Sequence, residues 1–251
     1  MGFHHSQFVK NTLPRGIYLL PNLFTTAALF AGFYSVVAAM KGYFDIAAIA
    51  VFIALIADGL DGRIARLTNT QTAFGAEYDS LSDMVAFGVA PSLIVYSWSL
   101  SSLGKIGWLA AFLYTAATAL RLARFNTQAH DQDKRYFQGL PCPAAAALLA
   151  SAVWLGATYD VNGLSASIPA AILAVTLAAF MVGRVRYYSF KQMDFKGRVS
   201  FLSVVIVVLI ITAIAFEPPE MLFGIFFLYA FSGPVCTLWK IRKMRKQKYK
   251  I

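Results

Sequence analysis

The chain has 251 residues, of which 59% are hydrophobic and only 14% charged, against about 25% charged in an ordinary soluble domain. Its net charge is +10, but the tail Lys240–Lys250 alone carries seven of the 22 basic residues. Most of the others flank apolar runs, so the excess reads as a cytoplasmic membrane face attracted to anionic lipid and excludes nucleic-acid binding. Cys142 and Cys236 are far apart and read as two free thiols, and the isolated His4–His5 pair as a polar terminus.

The first fifteen residues lack the apolar stretch of a secretory leader, so Ile17 onward opens a retained span. Apolar runs long enough to cross about 30 Å of hydrocarbon predict eight helices, at about 17–40, 46–67, 79–100, 106–125, 141–158, 166–184, 199–216 and 221–239. The connections alternate in charge. One set carries Lys10 and Arg15, then Arg63 and Arg66, then Arg121, Arg124, Lys134 and Arg135, then Arg184, Arg186, Lys191, Lys196 and Arg198, and finally the tail. The other set (41–45, 99–105, 159–165 and 217–220) is short and nearly free of positive charge. The expectation is an all-α, polytopic transmembrane bundle of about eight spans, one domain over residues 1–251, with both termini cytoplasmic. No internal repeat supports a transporter.

Five of the twelve acidic residues fall between Asp58 and Asp83. Acids at the end of an apolar run are costly to desolvate and default to a functional reading. Asp58, Asp61, Gly62 and Ala65 follow helical spacing on one face, and Gly75, Asp79 and Asp83 form a matching stripe on the next span. Four facing carboxylates stay ionised only with cations between them. An all-oxygen donor set favours Mg²⁺ or Mn²⁺, and two such ions would clamp a phosphate for in-line displacement. Acids scattered along a path would have suggested cation passage. Here they cluster at one level.

The order Asp58-x2-Asp61-Gly62-x2-Ala65-Arg66-x8-Gly75-x3-Asp79-x3-Asp83 resembles, without departure, the signature of the CDP-alcohol phosphotransferases. The resemblance implies metal ligation by Asp58, Asp61, Asp79 and Asp83, with Asp83 also the general base. It implies nucleotide contacts by Gly62, Ala65, Arg66, Gly75 and, less firmly fixed by the motif, Thr72. The segment Pro21-Asn22-Leu-Phe-Thr25 is similar to one that completes the family's nucleotide pocket through Asn22 and Thr25.

Three later segments narrow the acceptor: Arg121-Leu-Ala-Arg124-Phe-Asn126, Gly139-Leu-Pro141-Cys-Pro143-Ala, and Gly183-Arg184-Val-Arg186-Tyr-Tyr-Ser189-Phe190-Lys191. Together they look like the membrane-bound, bacterial phosphatidylserine synthase branch. That branch implies CDP-diacylglycerol as donor, L-serine as acceptor, a homodimer, and an active site facing the cytoplasm from the inner membrane. Arg121 and Arg124 are candidates for the serine carboxylate and Asn126 for its amino group; positive-inside anchoring is the competing reading of the arginines. Glycerol 3-phosphate or inositol phosphate is the alternative acceptor.

Overall fold

The computed structural model describes residues 19–128, 136–183, 185–188 and 201–248. Lys10, Arg15, Lys134, Arg135, Arg184, Ser189, Phe190, Lys191, Lys196 and Arg198 lie outside the described residues, as do His4 and His5.

Each predicted apolar run falls on a helix. In chain order these are α1 (Leu19–Met40), α2 (Phe44–Leu67), α3 (Ala73–Asp83), which continues through a π-helical turn (Met84–Val89) into α4 (Ala90–Trp98), α5 (Lys105–Gln128), α6 (Cys142–Thr158), α7 (Gly163–Val182), α8 (Phe201–Phe216) and α9 (Pro218–Lys248). Among the described residues, five helical stretches are long and apolar enough to cross a membrane: Leu19–Met40, Ala73–Trp98, Lys105–Thr127, Gly163–Val182 and Pro218–Thr237. The apolar helix α6 has only 17 residues and α8 only 16, short of the roughly 20 that span hydrocarbon. An antiparallel ribbon of β1 (Tyr136–Gln138) and β2 (Arg186–Tyr188) was not anticipated from the sequence.

Small residues set the packing. The buried face of α1 carries Ala28, Ala31, Gly32, Ser35, Ala38 and Ala39, and that of α2 carries Ala47, Ala48, Val51 and Ala54. Such faces let backbones approach closely where lipid gives no hydrophobic drive. Ser35 Oγ donates to Ala47 O at 2.7 Å across this seam. A Cβ at Gly32 would sit 2.7 Å from Ala86 Cα, so α1 also lies directly against the π-turn.

The π-turn has an identifiable cause. Pro91 lacks the N–H that would bond Phe87 O four residues earlier, and its ring crowds that carbonyl. The chain relaxes upstream into wider turns, and Ala90 N bonds Val85 O. The fully buried Tyr114 of α5 supplies the missing donor, its hydroxyl lying 3.1 Å from Phe87 O. The same pairing recurs in α9: Pro234 frees Ala230 O, and Tyr187 of the ribbon donates to it at 2.9 Å. Burial pushes the Tyr187 phenol well above its ordinary pKa, so it remains a donor.

Candidate active site

The end of α2 and the start of α3 are joined by a tight reversal that brings the two acidic stripes face to face. Thr68 N bonds Ile64 O and Thr70 N bonds Ala65 O, while Asn69 takes a left-handed φ of 53°, a conformation Asn tolerates well. Thr72 then caps α3, accepting from Gly75 N at 3.0 Å.

One carboxylate oxygen from each of Asp58, Asp61 and Asp79 lies within 4.8 Å of the other two. Asp83, one turn beyond Asp79 on α3, lies within electrostatic range of all three. Such a cluster could hold a metal ion, and its carboxylate oxygens suit a hard divalent cation. Asp61 is only 5% exposed, and its Oδ2 lies 2.7 Å from the Thr25 hydroxyl. Pro21 O lies further from that hydroxyl, at 3.2 Å, so the single proton goes to the carboxylate. Thr25 is itself held, since Ser82 Oγ donates to Thr25 O at 3.1 Å.

A cavity of about 280 Å³ opens beside Asp61 and Asp79, between α1, the α2 terminus and α3. Asn22, Thr25, Gly62, Ala65, Arg66, Thr72 and Gly75, all singled out from the sequence, line it. The glycines leave usable space. A Cβ at Gly62 would meet nothing within 4 Å, and one at Gly75 would press to 3.1 Å from Thr72 Oγ1 and 3.5 Å from Asn22 Oδ1. Thr70, Gln71 and Ala76 also line the cavity and escaped the sequence reading. Thr70 and Gln71 fall in the eight-residue gap, where the motif fixes no residue type.

The three acceptor candidates part company in the structure. Arg124 donates from Nη1 and Nη2 to Val182 O, at 3.0 and 3.4 Å, and so caps the end of α7. Asn126 exchanges hydrogen bonds with Ser80, its Nδ2 lying 3.0 Å from Ser80 Oγ. Arg121 is 9% exposed, and its Nη1 donates to Cys142 Sγ at 3.4 Å. Its Nε has no hydrogen-bond partner. Cys142 lies within electrostatic range of both Arg121 and Asp83. Cys142 and Cys236 are free thiols.

A helical membrane protein with paired acidic stripes beside a polar cavity defines a class. Residues 18–182 match the CDP-alcohol phosphatidyltransferase family, and the chain belongs to it. Among its relatives, a CDP-diacylglycerol–serine O-phosphatidyltransferase of Helicobacter pylori is 39% identical over 230 residues, covering 91% of this chain and 94% of the relative. A protein of the same name from Mycobacterium tuberculosis is 38% identical over 143 residues, covering 53% and 50%. An archaetidylserine synthase of Methanothermobacter thermautotrophicus is 31% identical over 170 residues, covering 67% and 69%.

Proposed function

We propose that this enzyme transfers the phosphatidyl group of CDP-diacylglycerol to the hydroxyl of L-serine, releasing phosphatidylserine and CMP. The observation that carries the reading is the juxtaposition of clustered carboxylates with a cavity lined by Asn22, Gly62, Arg66 and Gly75. The names of the relatives support the donor and the acceptor.

Asp58, Asp61, Asp79 and Asp83 would hold two Mg²⁺ or Mn²⁺ ions, which when bound neutralise the pyrophosphate and stabilise charge on the departing CMP. Thr25 fixes the orientation of Asp61. Arg66, exposed at the mouth of the cavity, neutralises phosphate in the bidentate manner its guanidinium allows. Gly62 and Gly75 admit the nucleotide close to the backbone. Asp83 takes the proton of the serine hydroxyl; that oxygen attacks the phosphorus bearing diacylglycerol, and the bond to the CMP oxygen breaks.

For the acceptor, Arg121 is the strongest of the three candidates. No carboxylate among the described residues pairs with it, and a buried cation left unpaired is costly; the serine carboxylate would supply the missing anion. Arg124 and Asn126 already serve neighbouring groups. The proposed setting is the inner membrane of a bacterium, with all eight helical segments crossing or entering the bilayer. Both termini and the site face the cytoplasm, and family resemblance suggests a homodimer. CMP release should vanish on chelation, return with Mg²⁺ or Mn²⁺, and be lost in Asp79→Asn. Turnover that survives chelation or Asp79→Asn would remove the acidic cluster from the chemistry.

A further inference from the structure

The start of α6 is held by several constraints at once. Leu140 N bonds Phe180 O at 3.0 Å and Gly139 N bonds Val185 O at 2.8 Å. Gly139 has φ +79°, and a Cβ there would collide with Met181 O. Pro141 takes the position preceding α6, and Pro143 lies in its first turn, where a proline's missing N–H costs nothing. These constraints leave the backbone of Cys142 one location, on the buried side of the bundle at 0% exposure.

The thiol at that location receives Arg121 Nη1 at 3.4 Å. It is the one hydrogen-bond acceptor that Arg121 meets among the described residues, and Nε is left without any. A buried arginine has many rotamers and a strongly directional fork of donors. A single weak acceptor on a rigid helix start is enough to choose among those rotamers while leaving the other donors for a ligand. A carboxylate in the same place would have formed a closed ion pair and filled the site.

We propose that Cys142 is a specificity-determining positioning residue: it holds the Arg121 guanidinium so that its remaining donors read the carboxylate of the acceptor beside Asp83. This inference rests on the reading of serine as acceptor and Arg121 as its anchor. It differs from that reading in assigning the orientation to a residue that does not itself touch substrate.

The test compares Cys142→Ala, Cys142→Ser, Arg121→Ala and the double variant in the purified full-length protein. CMP release is followed with varied serine, with varied CDP-diacylglycerol, and with ethanolamine, which offers the same amino alcohol without the carboxylate. Cys142→Ala should raise the KM for serine about three- to tenfold, the scale of one ordinary hydrogen bond, because a thiol sulfur is a weak acceptor. Its kcat and its KM for CDP-diacylglycerol should stay within about twofold, and its preference for serine over ethanolamine should fall in proportion to the KM change. Cys142→Ser, which restores an acceptor of similar size, should return the preference to that of the parent. In the Arg121→Ala background, Cys142→Ala should add nothing. An unchanged serine preference in Cys142→Ala, or an equal effect with and without Arg121, would overturn the inference and leave Cys142 a packing residue. An unchanged serine KM in Arg121→Ala would instead overturn the acceptor assignment beneath it.

Discussion

The hydrogen bond from Thr25 to Asp61 gives a prediction on which sequence and geometry differ. Family resemblance alone would place Thr25 on the nucleotide, whereas its hydroxyl donates at 2.7 Å to Asp61, a carboxylate proposed to bind metal. Thr25→Val keeps the shape and removes the donor. Thr25 is 4% and Asp61 5% exposed, so water cannot readily replace the lost bond. A buried hydrogen bond to a charged group contributes about 1.5–3 kcal/mol. At about 1.4 kcal/mol per decade that is a ten- to hundredfold effect, in line with outer partners of metal ligands. Mn²⁺ binding, followed by calorimetry or by the loss of free-ion EPR signal, should weaken by that factor. Activity should recover toward the parent value at saturating metal, with the KM for CDP-diacylglycerol nearly unchanged. A metal affinity within twofold of the parent, together with a raised KM for CDP-diacylglycerol, would refute the geometric argument and return Thr25 to the nucleotide.

Tyr114→Phe strands Phe87 O in the core and should cost about 1–3 kcal/mol, read as a lower Tm in detergent; adding Pro91→Ala, which restores a backbone donor, should recover part of it. Equal Tm values for Tyr114→Phe and the parent would show that the π-turn needs no outside donor. Asp83→Asn should abolish turnover while leaving most CDP-diacylglycerol binding intact, checked by equilibrium binding of labelled donor; substantial residual CMP release would remove Asp83 as the base. Arg124→Ala uncovers the α7 terminus and should lower Tm while changing the serine KM less than Arg121→Ala does, and kinetics of the two variants side by side would decide this.

The sequence made the helices legible because lipid demands long apolar runs, and each run fell on one. The third was placed from about 79, yet it starts at Ala73. Hydropathy missed its first turns because Glu77, Tyr78 and Asp79 are polar, although Thr72 offered a cap signal just ahead of them. The acidic stripes were legible because the motif spacing matches the helical repeat. What could not be read was tertiary. Arg121 and Arg124 are three residues apart and chemically identical, and only the tertiary arrangement, α5 packed on α7 with Arg121 reaching the start of α6, gives one a thiol and the other a carbonyl. The strands of the ribbon, three residues each, are too short for a periodic signal. Pro91 and Pro234 announced freed carbonyls at Phe87 and Ala230, but not the tyrosines, distant in sequence, that fill them.

The acidic cluster and its cavity are proposed to carry out metal-dependent transfer of a phosphatidyl group to serine. Its most direct test is CMP release by the purified protein from CDP-diacylglycerol with Mg²⁺ or Mn²⁺, in separate reactions with serine, glycerol 3-phosphate and inositol phosphate. Release is expected with serine alone, with phosphatidylserine as the lipid product. Release only with a phosphorylated acceptor would keep the aspartate chemistry and contradict the assignment of serine.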